Sequence, residues 1–191
     1  MNGYRQRILD QTQSLLGPYL PLTEALDFGC GDGWFAHTIR DRGLAGQVTA
    51  VDVQRRPGSL VEPLIYEGQK LPFANRSFEL TYAIDVLHHC PQPREQLREL
   101  ARCSRRFLLI KDHTCQSWGG RVVMSTVDKL SNWRFGVACP LTHQRGWEWL
   151  PWFEDAGFVL DRLIHPAACH VRIWDWFLDR FEFMALWRRE E

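Results

Sequence analysis

The chain has 191 residues, 45% hydrophobic and 24% charged, enough to bury one good core and too few for two full domains. Its 23 Lys and Arg balance 23 Asp and Glu, and basic pairs without a basic block make nucleic acid an unexpected partner. No run reaches the roughly 18 to 20 apolar residues of a membrane span, and the six cysteines (Cys30, Cys90, Cys103, Cys115, Cys139, Cys169) lack CxxC spacing, so reduced thiols and a cytoplasmic location without membrane association are expected.

The polar segment 1–20 reads as an N-terminal helix. Residues 24–29 form a short buried strand, 34–43 a helix ended by Gly43, and 47–53 a second strand, which together make a βαβ unit. A third strand is expected over 60–67, a fourth over 77–85, a helix over 92–103 with Leu97, Leu100 and Ala101 at helical spacing, and a fifth strand over 105–113. Such alternation implies an α/β fold with a mainly parallel sheet covered on both faces. Beyond residue 113 the chain turns aromatic, with Trp118, Trp133, Trp147, Trp149, Trp152, Trp174, Trp176 and Trp187. Residues 146–156 look helical, and 158–165 with 181–189 can close the sheet as a terminal antiparallel pair.

The stretch ALDFGCGDGWFA (25–36) places Gly29, Gly31 and Gly33 between the first strand and the first inter-strand helix. A turn this bare exposes backbone N–H groups at a helix N-terminus and lets a ligand approach the main chain. The dinucleotide pattern G-x-G-x-x-G is not met, because Trp34 stands where its third glycine belongs, and a phosphate loop would need a Gly-Lys-Ser/Thr that is absent. Asp27 and Asp32 would repel a pyrophosphate but accept hydrogen bonds from an ammonium group. Asp52 ends the second strand about 20 residues on, where an acid takes ribose hydroxyls in nucleotide-binding α/β folds. The ligand indicated is a nucleoside joined to an amino acid.

LDFGCGDG followed by AVD resembles motifs one and two of the class I S-adenosylmethionine-dependent methyltransferases. EGQKLPFANRSFE (67–79) and AIDVLHHCPQPREQLRELAR (83–102) resemble later segments of the small-molecule, type 11-like branch. The resemblance covers roughly residues 24–113. It implies a Rossmann-like, doubly wound sheet of seven strands ending in an antiparallel hairpin, and S-adenosylmethionine as cofactor with S-adenosylhomocysteine as product. It also implies that Asp27, Gly29, Cys30, Gly31 and Gly33 hold the methionine end, that Asp52 with Val53 holds the ribose and Glu67 with Gly68 the adenine, and that Asp85 lies near the transferred methyl. Departures are Asn75 where Asp is common, Glu67 and Glu79 in place of Asp, and the lack of a Pro-Gly-Gly turn before the fifth strand. The expected organisation is one methyltransferase domain over 1–191, with 114–156 as a substrate-side insertion or lid.

Methyl transfer from a sulfonium releases a neutral thioether, so no acid is required and positioning supplies much of the rate. A phenol or alcohol acceptor calls for a nearby base, and His113, His88 and Asp112 are the candidates chosen from a set that also holds Asp85, His89 and His143. His88 and His89 can equally be structural, and the Asp-His pair 112–113 can cap a helix. No metal is expected, since adjacent His88, His89 and Cys90 diverge and no ligand spacing is present. The expected function is methylation of a small molecule, favouring oxygen, with oligomeric state open. An RNA or protein methyltransferase and a non-catalytic cofactor-binding module are the rivals. Trp147, Trp149 and Trp152 are expected to pack in the core, and the basic-aromatic stretch SNWRF (131–135) is a secondary candidate for RNA contact.

Overall fold

The structure is a computed structural model that describes residues 3–132, 142–171 and 173–190. Helix α1 (Gly3–Leu16) buries Ile8, Leu9, Thr12, Leu15 and Leu16, an apolar stripe at helical spacing that it lays on one face of the sheet. Strand β1 (Leu22–Phe28) leads through the glycine turn into α2 (Trp34–Asp41) and β2 (Ala45–Asp52). There follow β3 (Leu64–Ile65), β4 (Phe78–Ile84), α3 (Pro93–Cys103) and β5 (Ser104–Cys115). The remainder comprises α4 (Trp118–Asn132), β6 (Gln144–Arg145), α5 (Leu150–Asp155), β7 (Phe158–Ile164), α6 (Ile173–Leu178) and β8 (Glu182–Arg189).

The strand order is β3-β2-β1-β4-β5-β8-β7, with β6 paired to the far end of β5. Strands β1 to β5 run parallel, while β8 is antiparallel to both β5 and β7, bearing out the doubly wound sheet and its terminal pair. The two-residue side-chain period divides β5 between two cores. Leu108 and Ile110 pack with α3 and α5 residues such as Leu97, Leu100 and Phe153, whereas Phe107 and Leu109 pack on the α1 side with Ile8, Leu9 and Met184. The Phe153 ring lies on Trp187 at 3.8 Å and 6°, and Trp147, Trp149 and Trp152 belong to this same packing, as expected.

Five elements differ from the sequence reading. The strand expected over 60–67 pairs only at Leu64 and Ile65, because Pro63 has no N–H to donate and the Leu60 N–H is committed to the Asp32 carbonyl at 2.8 Å. The helix expected over 146–156 is confined to Leu150–Asp155, since Gly146 sits at φ 56° in a turn and Pro151 is tolerated only in a first helical turn. Helices α4 and α6 and the two-residue strand β6 occupy stretches to which periodicity assigned no element. Cys139, Trp133 and the SNWRF stretch from Trp133 onward lie outside the described residues. Cys30, Cys90, Cys103, Cys115 and Cys169 are free thiols. Among the described residues no helix is long and apolar enough to cross a membrane.

Candidate active site

Strands β1 and β4 are neighbours whose connections leave in opposite directions, and the crevice beyond their C-terminal ends is where open α/β sheets place ligands. Two cavities meet there. One, of about 360 Å³, is lined by Gly29, Asp52, Val53, Tyr66, Gly68 and Gln96 among others. The second, of about 540 Å³, runs from Asp27, Cys30 and Gly31 to His88, His113 and Glu182. Gly29, Arg56, Asp85 and His89 line both, so the two form one cleft.

The glycine turn is built by sterics. Gly29 and Gly33 both adopt left-handed φ, at 71° and 73°. A Cβ on Gly29 would stand 2.5 Å from Val86 Cγ1, and one on Gly33 would overlap the Val61 side chain. Asp52 locks the turn from below: its carboxylate accepts the Gly31 N–H at 2.8 Å through one oxygen and the Val53 N–H at 2.7 Å through the other. Asp32 is engaged by the Arg5 guanidinium at 2.7 Å and by the Trp34 N–H at 3.2 Å, so it ties α1 to the first turn of α2.

Asp27 is buried, and among the described residues no hydrogen bond reaches its Oδ2. Burial drives its carboxyl up to about 7, with the Asp52 and Asp32 charges adding to the rise and the Tyr82 hydroxyl and Ala36 backbone opposing it. A buried acid in that condition suits a cationic ligand group. Burial likewise pushes the Cys30 thiol up to about 12, reinforced by Asp27, so it is an apolar wall rather than a nucleophile.

At the other end of the cleft, Asp85 holds φ 57°, a strained backbone for a non-glycine residue just past β4. Its carboxylate accepts the Tyr4 hydroxyl at 2.8 Å and the Lys111 ammonium at 2.5 Å. Lys111, fully buried, also lies 2.5 Å from Glu182 Oε2. Burial alone would lower the Lys111 pKa, yet Asp85 and Glu182 hold it well above the ordinary lysine value. Burial alone would raise Glu182, but His113 and Lys111 keep it below the carboxylate range.

His88, His113 and His143 converge beside this network. His88 Nδ1 is 2.7 Å from Asp112 Oδ1 and His113 Nε2 is 3.1 Å from Glu182 Oε1. The His88 and His143 rings stack at 4.9 Å, and His113 meets His88 edge-on at 4.8 Å. Although burial alone would raise Asp112, the facing His88 and His113 hold it far below the usual range.

Most residues singled out from sequence therefore border one cleft: Asp27, Gly29, Cys30, Gly31, Asp52, Val53, Gly68, Asp85, His88 and His113. Four do not. Gly33 shapes the turn from behind, Glu67 points to solvent while its neighbours Tyr66 and Gly68 line the wall, Asp112 sits under His88, and His143 lies behind the histidine pair. Sequence reasoning missed Tyr4, Arg56, Tyr66, Gln96, Lys111 and Glu182. A lysine inside LLIKDH and a glutamate inside FEFMALW were visible signals, since charged residues in apolar strand runs are buried only when paired.

Residues 26–106 match the family model of the methyltransferase domain. That stretch, somewhat under half of the chain, is similar to a methyltransferase domain. Solved structures of the same fold include S-adenosylmethionine-dependent methyltransferases. A Haloferax volcanii protein solved with the Trm112 methyltransferase activator shares 17% identity at TM-score 0.68, over 99% of this chain and 92% of that one. An Aquifex aeolicus S-adenosylmethionine-dependent methyltransferase shares 19% at TM-score 0.60, over 93% and 89%. Magnesium protoporphyrin IX methyltransferase of Synechocystis, with bound S-adenosylhomocysteine, shares 16% at TM-score 0.66, over 98% and 84%. Identities this low speak to the fold alone. No curated protein matches the chain by sequence.

Proposed function

We propose that this protein is a class I S-adenosylmethionine-dependent methyltransferase that methylates an oxygen of a small-molecule acceptor, working as one domain in which α4, from the expected insertion 114–156, roofs the acceptor side; residues 133–141 of that insertion lie outside the described residues. The observation that carries the reading is that a single cleft joins the glycine turn to the histidine cluster, with Phe35, Ile84, Met124 and Val127 as apolar walls between polar ends. Met124 and Val127 come from α4, which is how the insertion contributes to the roof. The cofactor fits the residues present: the bare glycine turn admits close approach, buried Asp27 suits the ammonium of the methionine end, and Asp52 at the end of β2 suits the ribose. Tyr66, Gly68 and Gln96 would line the adenine. Bound there, the cofactor supplies an electrophilic methyl on a sulfonium.

The chain's own residues then have two tasks. One is to exclude water and hold the acceptor oxygen in line, which positioning alone makes worth several kcal/mol. The other is to lower the cost of deprotonating that oxygen, which falls to His113 and His88, each oriented by a buried carboxylate. The test is transfer of a labelled methyl from S-adenosylmethionine to a panel of phenols, hydroxy acids, amines and thiols, with bulk RNA and protein alongside. Label in an oxygen-linked small product is expected. Label in RNA or protein, or tight cofactor binding without transfer to any acceptor class, overturns the reading.

A further inference from the structure

We propose that His88, His113 and His143 form a three-histidine site for a divalent metal ion of the zinc type, with an open coordination position facing the acceptor end of the cleft. The three side chains come from separate parts of the chain: the turn after β4, the end of β5, and the segment just before β6. Each is at least nine-tenths buried, and ligand nitrogens from all three lie within 4.8 Å of one another. A tetrahedral site with metal–nitrogen bonds near 2.0–2.1 Å has its donors about 3.4 Å apart, so binding draws the rings inward by about 1 Å, within the reach of small side-chain rotations.

Two further features mark this as a built site. Histidine ligands typically have their second ring nitrogen held by a carboxylate, which fixes the tautomer and aims the other nitrogen at the metal. Asp112 does this for His88 Nδ1 at 2.7 Å and Glu182 for His113 Nε2 at 3.1 Å, while His113 Nδ1 lies 3.7 Å from Asp112 Oδ1. Charge also favours a cation. Asp85, Asp112 and Glu182 surround the cluster, while Lys111 supplies the ammonium paired to Asp85 and Glu182. That same ammonium argues against the alternative grouping of Asp85, His113 and Glu182, whose carboxylates it already occupies.

An all-nitrogen donor set selects zinc, cobalt or nickel over magnesium or calcium, which prefer oxygen ligands. His88 and His113 line the cavity and His143 stands behind them, so the position left open points into the cleft. The catalytic consequence rests on the proposed O-methylation. A hydroxyl ligated there would give up its proton to solvent near neutral pH. The resulting oxyanion's lone pair forms the new O–C bond as the S–C bond breaks, and that bond's electron pair stays on sulfur in the neutral thioether. The cluster would thus act on the acceptor as a Lewis acid rather than through one imidazole base.

The experiment is titration of the chelator-treated full chain with Co²⁺, followed by visible spectroscopy, in the absence of any cofactor. Saturation at a single equivalent with the intense d–d bands of a nitrogen-rich tetrahedral site is expected, with competition by Zn²⁺ and none by Mg²⁺. His143→Gln should abolish the bands while leaving S-adenosylhomocysteine affinity unchanged, and Asp112→Asn should weaken Co²⁺ binding about 10–100-fold. Absence of the bands from folded wild-type protein, or bands that persist in His143→Gln, overturns the proposal. Cofactor affinity is read by calorimetry on the same samples, so loss of metal binding and failure of the methyltransferase reading are separate results.

Discussion

Replacing Asp27 by Asn tests the electrostatics of the cleft most sharply, because the carboxyl stands at about 7 when folded and in the ordinary range near 4 when unfolded. The sign follows from proton counting. Between about pH 4 and 7 the native state holds a proton that the unfolded state has released, so stability falls as pH rises through that window and is level above it. Each tenfold difference in proton affinity is worth about 1.4 kcal/mol, which makes the full penalty of about 4 kcal/mol at pH 8. At pH 5 only about a third of that has been incurred. Asp27→Asn removes the titration, so its stability relative to wild type should improve by roughly 3 kcal/mol on going from pH 5 to pH 8. Urea unfolding at the two pH values, followed by far-UV circular dichroism, measures this directly. A gap that does not change with pH would refute the assignment of a buried, desolvated carboxyl. Calorimetry adds a functional arm: S-adenosylhomocysteine binding to wild type should tighten several-fold from pH 6 to 7.5 as Asp27 ionises, and stay level in the variant.

Asp52→Ala should weaken S-adenosylhomocysteine more than tenfold and also cost about 1–3 kcal/mol of stability, since the Gly31 and Val53 N–H groups lose their acceptor; calorimetry and urea unfolding separate the two effects. Gly33→Ala forces a left-handed φ of 73° on an alanine and drives its Cβ into Val61, so a loss of about 1–3 kcal/mol is expected by thermal or urea unfolding. Lys111→Met removes the partner of buried Glu182 and half-buried Asp85 and should destabilise by about 3–5 kcal/mol, whereas Arg98→Met, on an exposed ion pair, should change unfolding by less than about 1 kcal/mol. Phe153→Ala opens the space above Trp187 and should cost about 3–5 kcal/mol in the same assay.

The sequence by itself determined the βαβ frame, the place of the glycine turn and the Asp52 position, because each rests on local rules. Apolar periodicity sets the element type, and left-handed glycines set the turn between β1 and α2. Pro63 cut β3 short for an equally local reason, although the apolar residues around it had suggested a longer strand. What only the tertiary structure decided was which side chains from distant segments share a space. Tyr4 reaches Asp85, and Lys111 bridges Asp85 to Glu182, although nothing in the spacing of residues 4, 85, 111 and 182 links them. No ligand spacing along the chain pointed to a metal, and the adjacent His88 and His89 rings do not diverge but lie 4.0 Å apart. His88, His113 and His143 meet because β4 and β5 end side by side and β6 brings the returning chain against β5. Convergence of this kind is fixed by strand order and register, which no single stretch of residues encodes.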